Sequence, residues 1–326
     1  MTNLISFVVP VLNEVENIEL LCQRVDATMW ELRDRYSYEV IFTDNHSSDG
    51  SYKLLTELAK DRPYIRVIRF SKNVGYQLSI LTGYLNARGV VAIQLDADLQ
   101  DPPELVPEFL EKWEEGNKIV YGIREFREES WLNVKLRQLF YQLMYRLSNE
   151  LIPPDAGDFR LVDRDIIELL AGINDRRPYL RGVIASFGFK QTGVPYRREK
   201  RAKGESKFPY RTMTKLAIDG FVNHSDVPLR LATRTGVIVS IISFVVGVGY
   251  LIGKIVYQQE WAAGFATTAL LILVSLGILS FLLGIIGEYL GRIYEQLRRY
   301  PNVIVEEVID GESVGQKVRQ ATKLPK

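Results

Sequence analysis

Two long stretches without a charged residue limit what this chain can fold into more than any other feature. Residues 235–253 form a run of 19 uncharged residues, and residues 262–287 form a run of 26. At about 1.5 Å per residue a helix over the shorter run extends about 28 Å, close to the roughly 30 Å hydrocarbon core of a membrane. The longer run can span with tilt. We therefore predict a membrane region at 229–295 with transmembrane helices at about 233–257 and 262–290.

Positive charges at the two outer ends of this helix pair predict its orientation. Arg230 and Arg234 precede the first helix, and Arg292, Arg298 and Arg299 lie at or beyond the end of the second. Because cytoplasmic flanks carry an excess of Lys and Arg, both outer ends are expected on the cytoplasmic side of a membrane of the bacterial inner or plasma membrane type. The remaining 296–326 is predicted to be a cytoplasmic tail, poorly ordered from residue 303 onward.

The amino-terminal two thirds of the chain has an alternating pattern of strands and helices. Strands are predicted at 4–9, 38–43, 65–70, 90–95 and 118–121, with helices at 16–35, 51–60, 76–87 and 103–115. This alternation is typical of βαβ units around a mostly parallel sheet. We therefore predict a cytoplasmic α/β domain over residues 1–228.

Composition and missing motifs argue against several classes of protein. A net charge of +1 disfavours a general nucleic-acid-binding protein. The single cysteine, Cys22, excludes an intrachain disulfide, and two histidines exclude a histidine-rich metal site. No GxGxxG follows the first strand and no GxxxxGK[ST] is present, which disfavours dinucleotide-binding and P-loop proteins.

Polar side chains follow three of the predicted strands. They lie at 10–14 after the first strand, at 43–51 after the second and at 96–100 after the fourth. Carboxyl ends of parallel strands meet at one edge of the sheet, where ligands bind in open α/β folds. Asp, Asn and Ser side chains there suit a base and ribose, and Asp44 can accept a hydrogen bond from a ring N–H. Ordinary turn and helix-capping chemistry is the alternative for each loop alone.

The third of these loops contains a DxD motif. Asp96 and Asp98 end a buried apolar run, and Gln100 and two prolines follow. Hard oxygen ligands at close spacing suit Mg²⁺ or Mn²⁺ bridging to phosphate oxygens. The alternative is a solvated acidic turn that caps the next helix.

The region between the predicted sheet and the membrane helices contains basic and amphipathic segments. Residues 130–151 have apolar, aromatic and basic residues at helical spacing, which suits either an anionic membrane surface or packing on the sheet. A second interface helix is expected at 208–226. Residues 153–160 are expected to form a proline-led loop. The basic segment 197–207 is either a mobile arm that neutralises phosphates or a solvated surface loop.

Five short motifs in a fixed order precede the two membrane helices. They are VVPVLNE (8–14), DNHSSDGS (44–51), DADLQDPPE (96–104), GDFR (157–160) and RAKGESK (201–207). Together they resemble the family-2 glycosyltransferases with a GT-A fold. Within these, the chain is similar to the polyisoprenyl-phosphate glycosyltransferases, a group that includes dolichol-phosphate mannose synthase and bacterial GtrB-type glucosyltransferases.

The resemblance implies a role for particular residues of this sequence. The nucleotide-sugar pocket would be lined by Pro10, Asn13, Glu14, Asp44 and Asp96, and a divalent metal would be held by Asp96, Asp98 and Gln100. Asp98 and Asp158 would be the catalytic residues. Phosphate groups on the acceptor side would bind Arg124, Arg137, Arg201 and Lys207. The sequence departs from many relatives at Asn45, where they have a second aspartate, so Asp44 is the firmer assignment.

The resemblance also implies an activity. It is the inverting transfer of one sugar, with UDP-glucose as the expected donor, to a polyprenyl phosphate of the undecaprenyl type at the cytoplasmic membrane face. The QxxRW motif of processive synthases is absent from the sequence, which favours transfer of a single sugar. The alternatives are a membrane-anchored nucleotide-sugar-binding module and a glycosyltransferase that uses another lipid. Glycines along both membrane helices permit a homo-oligomer without requiring one.

Overall fold

A computed structural model describes residues 2–125, 156–173, 175–176, 178–197, 227–257, 264–297 and 301–311. The chain divides into two compact units. The α/β unit comprises Met1–Arg146, Glu150–Met213 and Tyr300–Lys326, and the helical unit comprises Leu147–Asn149 and Thr214–Arg299. The two units are described separately.

The first half of the α/β unit confirms the predicted alternation of strands and helices. Its elements are β1 (Asn3–Val11), α1 (Ile18–Glu31), β2 (Tyr36–Asp44), α2 (Ser51–Asp61), β3 (Ile65–Phe70), α3 (Tyr76–Asn86), β4 (Val91–Gln94), a 3₁₀ turn (Pro103–Leu105), α4 (Val106–Glu114) and β5 (Ile119–Glu125). The later elements are β6 (Ala156–Asp163), α5 (Arg164–Leu170), α6 (Leu180–Ser186), β7 (Gln191–Arg197) and β8 (Val305–Asp310).

The eight strands form one mixed sheet in the order β7-β5-β6-β4-β1-β2-β3-β8. β1 pairs in parallel with β2 and β4, and β2 pairs in parallel with β3. Val11 lies opposite Asp44, and Val8 lies opposite Gln94, so the loops after β1, β2 and β4 leave from the same edge. Helices cover the sheet, and central strand residues such as Phe7 and Ile93 have no exposed surface. The predicted gathering of the three polar loops is confirmed.

The GDFR motif lies on a strand, so the predicted loop at 153–160 is wrong from residue 156 onward. β6 runs antiparallel between β4 and β5, with Arg160 opposite both Gln94 and Tyr121. Phe159 and Leu161 are fully buried. The alternation of polar and apolar residues from Asp158 onward is a strand pattern, and the prolines and glycine that precede it obscured this in the sequence.

The prediction of a poorly ordered tail is also wrong over Val305–Asp310. These residues form β8, which pairs antiparallel with β3 at the edge of the sheet. Asp310 of β8 is paired with basic partners: its Oδ2 lies 3.6 Å from Arg66 Nε and also contacts Arg88. Val305 is buried in the core, and Val308 and Ile309 pack against it. Ion pairs and apolar burial together therefore account for this strand.

The helical unit contains two long helices, α7 (Val227–Tyr257) and α8 (Phe265–Leu297). Both expose large apolar side chains, for example Phe244 at 72% and Phe281 at 65%. Within the described residues, the segment Val274–Gly291 is long and apolar enough to cross a membrane, with a mean hydropathy of 1.8. Exposed apolar surface of this kind is unfavourable in water and suits contact with lipid.

Asp163 provides a test of how the antiparallel part of the sheet is held to its helices. Its side chain caps α5 by accepting a hydrogen bond from Asp165 N at 3.0 Å. It also accepts from Trp113 Nε1 at 2.6 Å and Lys118 Nζ at 3.0 Å. Although burial alone would raise the pKa of Asp163, these donors outweigh it and lower the pKa below the ordinary 3.8.

We expect Asp163→Ala to lower the free energy of unfolding by about 2 kcal/mol, because it removes a helix cap and two charged hydrogen bonds. Thermal unfolding in detergent measures this. Since the folded-state pKa is lowered, the stabilisation is present above pH 3.8 and is lost as the pH falls through the folded-state pKa. The control is Asp165→Ala, whose side chain is 58% exposed and should matter by less than about 0.5 kcal/mol. Equal losses in both variants would contradict the assignment.

Candidate active site

The loops after β1 and β2 are fastened to each other. Asn13, which has a φ of 55°, donates its backbone N–H to Ser47 Oγ at 2.9 Å, and its Oδ1 accepts from Ser48 N at 2.8 Å. Glu14 donates its backbone N–H to Ser51 Oγ at 2.9 Å. The predicted pocket residues Asn13 and Glu14 are therefore held against the 43–51 loop.

Asp44 ends β2 and has no exposed surface. One carboxylate oxygen accepts from Ser47 N at 3.1 Å, and the other lies 3.1 Å from Arg69 Nη1. Pro10 is buried in β1, opposite Thr43 in the ladder. Both predicted pocket residues thus occupy the ends of neighbouring strands, and the Asp44 carboxylate is fixed at both oxygens.

Asp96 lies among other carboxylates just beyond β4. Its Oδ1 accepts hydrogen bonds from Gln94 Nε2 at 2.8 Å and from the Tyr76 hydroxyl. Burial, followed by the negative charge of Asp101, raises the pKa of Asp96 to about 7, with Asp98 and Asp158 adding to the effect. A buried carboxyl group with a pKa near neutral and other carboxylates beside it marks a candidate functional site.

The other two residues of the predicted metal set form a local turn. Asp98 is 8% exposed, and its Oδ1 accepts from Gln100 N at 3.2 Å. Leu99 between them has a φ of 60°, a left-handed conformation that non-glycine residues adopt infrequently. The turn holds Asp98 close to Asp96, while the Gln100 side chain is half-buried.

Asp158 joins this group from β6. Arg160 lies opposite Gln94 in the antiparallel ladder. Asp158 precedes Arg160 by two residues and Asp96 follows Gln94 by two, so both lie toward the same edge of the sheet and on the same face. Arg181 donates to both oxygens of Asp158, from Nε at 2.8 Å and from Nη2 at 2.5 Å. Burial alone would raise the pKa of Asp158, but the Arg181 charge outweighs it and lowers the pKa. Asp158 is therefore an anion at neutral pH.

Arg124 lies on β5 beside the acidic group. Its Nε donates to the Tyr196 hydroxyl at 3.2 Å, and its Nη2 lies 3.8 Å from Asp101 Oδ2. The Tyr196 hydroxyl in turn donates to Asp101. A Cβ added to Gly157 would lie 3.3 Å from the Arg124 guanidinium, so this glycine leaves room for that side chain. Positive charge thus borders the carboxylates directly.

The amino end of α3 connects these parts. Val74 N donates to Asn45 Oδ1 at 3.3 Å beside the Asp44 loop. Tyr76 donates to Asp96, and Gln77 Nε2 lies 3.5 Å from Asp158 Oδ1. The start of α3 therefore contacts the 43–51 loop, the DxD and the GDFR strand.

The structure brings most of the predicted site residues to this edge of the sheet. The predicted phosphate-binding residues Arg137, Arg201 and Lys207 lie outside the described residues. Sequence reasoning missed several site residues, which are Tyr76, Gln77, Asp101, Arg181 and Tyr196. Of these, Asp101 had a signal, since it lies within the DADLQDPPE motif. Arg181 and Tyr196 come from distant elements and belong to none of the five motifs.

The donor set at the DxD fits a divalent cation that is shared with phosphate. Within the described residues, no group of three or more His, Cys, Asp or Glu side chains is arranged to hold a metal by itself. Mg²⁺ bound with nucleotides commonly uses only one or two carboxylates and takes further ligands from phosphates and water. Asp96 and Asp98 supply two carboxylates, and a cation would offset both the burial of Asp96 and the negative charges of Asp101, Asp98 and Asp158 around it.

Comparison with known protein families gives two matches that together cover most of the chain. The family described as glycosyl transferase family 2 matches residues 6–170. The family described as GtrB C-terminal hairpin matches residues 227–293.

Curated relatives align over nearly the full chain. An uncharacterised glycosyltransferase, YkcC of Bacillus subtilis, is 37% identical over 93% of each chain. A prophage bactoprenol glucosyl transferase homolog of Escherichia coli K12 is 32% identical, covering 93% of this chain and 99% of the relative. The bactoprenol glucosyl transferase of Shigella phage SfII is also 32% identical, covering 93% and 97%.

Among solved structures, a mannosyltransferase from Pyrobaculum calidifontis in complex with GDP-mannose and Mn²⁺ has a TM-score of 0.49 and 17% identity. The match covers 71% of this chain and 65% of that one. A likeness of this size carries no conclusion about donor or metal.

The raised pKa of Asp96 gives a pH-dependent prediction. Between pH 3.8 and about 7 the folded chain keeps a proton on Asp96 that the unfolded chain releases, so ionisation destabilises the fold as the pH rises. We expect Asp96→Asn, measured without divalent cations, to raise the melting temperature at pH 8. The gain should shrink toward pH 5. One kcal/mol corresponds to about 2–4 °C for a domain of this size.

A matched control is Asp49→Asn. Burial would raise the pKa of Asp49, but hydrogen bonds from Ser51 and Val15 outweigh it and lower the pKa. The amide should therefore be neutral or destabilising at pH 8, the opposite sign to Asp96→Asn. An Asp96→Asn variant that melts below the wild type at pH 8 would show that crowding of negative charge at Asp96 is not a cost to the fold.

Proposed function

Because this chain belongs to glycosyl transferase family 2, we propose that it transfers one sugar from a UDP-sugar, with glucose as the expected sugar, to a polyprenyl phosphate in a membrane. The names of the relatives from E. coli and phage SfII support the lipid acceptor. The main structural support is that Asp96, Asp98 and Asp158 lie together at one edge of the sheet, with Arg124 and Arg181 beside them. Such a site can accommodate both a cation and the phosphates it binds.

The donor nucleotide would bind along the edge formed by β1 and β2. The Asp44 carboxylate is buried and fixed, so it can accept a hydrogen bond from the base without first being ordered. Asn13 and Glu14 lie in the loop fastened to it, and Pro10 lies in the adjoining strand. We assign these four residues to the nucleotide.

The diphosphate would lie at the DxD. Asp96 and Asp98, with the Gln100 side chain near them, would hold Mg²⁺ or Mn²⁺. When bound there, the cation supplies Lewis-acid stabilisation of the charge that develops on the leaving diphosphate. Tyr76 and Gln94, which donate to Asp96, orient its carboxylate for this role.

The acceptor phosphate would approach from the side of β5 and β6. Arg124 and Arg181 offer planar guanidinium groups, which suit phosphate oxygens. The basic residues at 137, 201 and 207 are assigned to the same phosphate by the family resemblance alone. Asp158 has a lowered pKa and both oxygens on Arg181, so its role is to position Arg181 and the acceptor rather than to accept a proton. A phosphate monoester with a second pKa near 6 is already anionic and needs no strong base.

We also propose a stereochemistry and a location for this reaction. The acceptor on the β6 side would attack from the face opposite the departing diphosphate, and one such displacement inverts the anomeric centre. The GtrB-type hairpin and the apolar α8 indicate membrane association. We further propose that the α/β unit lies on the cytoplasmic side, where UDP-sugars and lipid phosphate head groups are both accessible.

The proposed activity is tested with purified enzyme in liposomes that contain undecaprenyl phosphate, incubated with radiolabelled UDP-glucose and Mn²⁺. We expect label in the lipid extract that mild acid releases as free glucose. Asp98→Asn should lower the rate by about 10²-fold or more, because it removes a carboxylate from the proposed metal site. Asp165→Asn, on the exposed start of α5, is the matched control and should keep the wild-type rate.

Three other results would contradict the proposal in different ways. Label in an acid-stable lipid would indicate a different lipid acceptor. Binding of UDP-glucose without transfer to any lipid would indicate a binding module. An unchanged rate in Asp98→Asn would remove the metal role from the DxD.

A second prediction separates donor binding from acceptor binding. Asp158→Asn removes the charge that holds Arg181, and we expect it to lower transfer by about 10²-fold. The affinity for UDP, measured by calorimetry with Mn²⁺, should change by less than about 2-fold. Arg181→Lys keeps the charge without the two-pronged contact and should fall between the wild type and Asp158→Asn. A loss of UDP affinity in Asp158→Asn that parallels the loss of transfer would contradict the acceptor-side assignment.

A further inference from the structure

Strand β8 contacts a residue of the proposed donor pocket through one intermediary. Glu306 of β8 accepts a hydrogen bond from Arg69 Nε at 3.1 Å, and these two residues are 237 positions apart in the chain. The same Arg69 donates from Nη1 to Asp44 Oδ2 at 3.1 Å. A continuous charged chain therefore runs from the carboxyl-terminal strand through Arg69 to Asp44.

An irregularity in the strand pairing gives Glu306 this position. Arg69 is paired with Glu307, whereas the next residue, Phe70, is paired with Val305. Glu306 is thus the additional residue of a β-bulge. A bulge turns a side chain away from its regular alternation and is frequent beside functional sites. Here the bulge places two consecutive glutamates of β8, Glu306 and Glu307, beside the same end of β3.

The second glutamate holds Arg69 indirectly. Glu307 Oε2 accepts from the Tyr52 hydroxyl at 2.5 Å, and the Arg69 guanidinium lies over the Tyr52 ring at 4.0 Å. Arg69 is therefore fixed by hydrogen bonds at Nε and Nη1 and by the Tyr52 ring on one face. His46 Nδ1 also lies 3.6 Å from Glu306, so this glutamate contacts the 43–51 loop as well.

The exposed fractions of the three charged side chains suggest that the position of Asp44 depends on Arg69, and that of Arg69 on Glu306. The Asp44 side chain has no exposed surface, Arg69 is 16% exposed and Glu306 is 49% exposed. An exposed glutamate adds little to stability. It does restrict the orientation of a guanidinium whose other end sets the position of a buried carboxylate. The expected consequence of losing Glu306 is a misplaced Asp44 rather than an unfolded protein.

We propose that Glu306 and Arg69 are positioning residues for the donor nucleotide, acting through Asp44, so that the segment after the membrane hairpin tunes donor affinity. This inference rests on the proposed function, because it takes Asp44 as a nucleotide contact. Glu306 itself touches neither donor nor acceptor. Its effect should appear in the affinity for UDP and in the KM for the donor, with little change in kcat.

The test is a double-mutant cycle on UDP binding, measured by calorimetry with the full-length enzyme in detergent and Mn²⁺. We expect Glu306→Ala to weaken UDP binding by about 3- to 10-fold. In an Asp44→Asn background, Glu306→Ala should cause no further loss. The KM for UDP-glucose should rise by the same factor in Glu306→Ala while kcat stays within about 2-fold of wild type.

The matched control is Asp310→Asn, at the far end of β8, where the side chain contacts Arg66 and Arg88 instead. It should leave UDP affinity unchanged. An equal loss of affinity in Asp310→Asn would mean that β8 acts as a whole, which overturns the specific role of Glu306. Additive losses for Glu306→Ala and Asp44→Asn would also overturn it.

The outcomes separate this inference from the proposed function. If Asp44→Asn weakens UDP binding and Glu306→Ala does not, the positioning role fails and the donor site stands. If Asp44→Asn binds UDP as the wild type does, the assignment of Asp44 to the nucleotide fails, and the positioning role fails with it. If the wild-type enzyme does not bind UDP, both are overturned.

Discussion

The crowding of carboxylates at the end of β4 is the constraint on which the rest of the site depends. Burial, together with the nearby charges of Asp101, Asp98 and Asp158, raises the pKa of Asp96 to about 7. A fold keeps such repulsion only if other interactions hold the groups in place. Here a parallel ladder delivers Asp96, an antiparallel ladder delivers Asp158, and hydrogen bonds to Arg181, Tyr196 and Tyr76 hold individual carboxylates. A cation and phosphates would therefore bind to charges already arranged for them.

Much of the fold could be predicted from the sequence, because its signals are local. Continuous apolar runs such as VVAIQL and the helical patterns between them are sufficient for the βαβ order. The three polar loops could be brought to one edge because parallel strands place their carboxyl ends together. What failed was the later part of the sheet: β6, β7 and β8 take their partners from distant segments, and polar residues fill alternate positions in β6 and three of the six positions in β8. Their strand character depends on partners that no local pattern specifies.

The candidate site also has residues that could be predicted from the sequence and residues that could not. The residues in short motifs, such as Asp44, Asp96 and Asp98, were identified because their spacing matches a family pattern. Arg181 was missed, although it pairs with both oxygens of Asp158, because α6 reaches the site only through the tertiary fold. The contacts made by Val74, Tyr76 and Gln77 at the amino end of α3 were missed for the same reason. Residues that lie in short motifs can be found from local sequence, whereas residues contributed by α3 and α6 are specified by packing.

The position of β8 changes how the order of the chain should be understood. The hairpin helices α7 and α8 precede β8 in sequence, and β8 forms an edge strand of the sheet that contains β1. The helical unit is therefore inserted into the α/β unit rather than attached to its end. Because β3 would otherwise be the edge strand, β8 supplies partners for its outer backbone groups from a segment that follows the two long helices in sequence. Arg69, which lies on β3 next to Asp44, has its Glu306 partner on this same strand. The strand that covers the edge of the sheet is therefore also the strand that holds Arg69 against the proposed donor pocket, and both contributions come from the part of the chain beyond the two long helices.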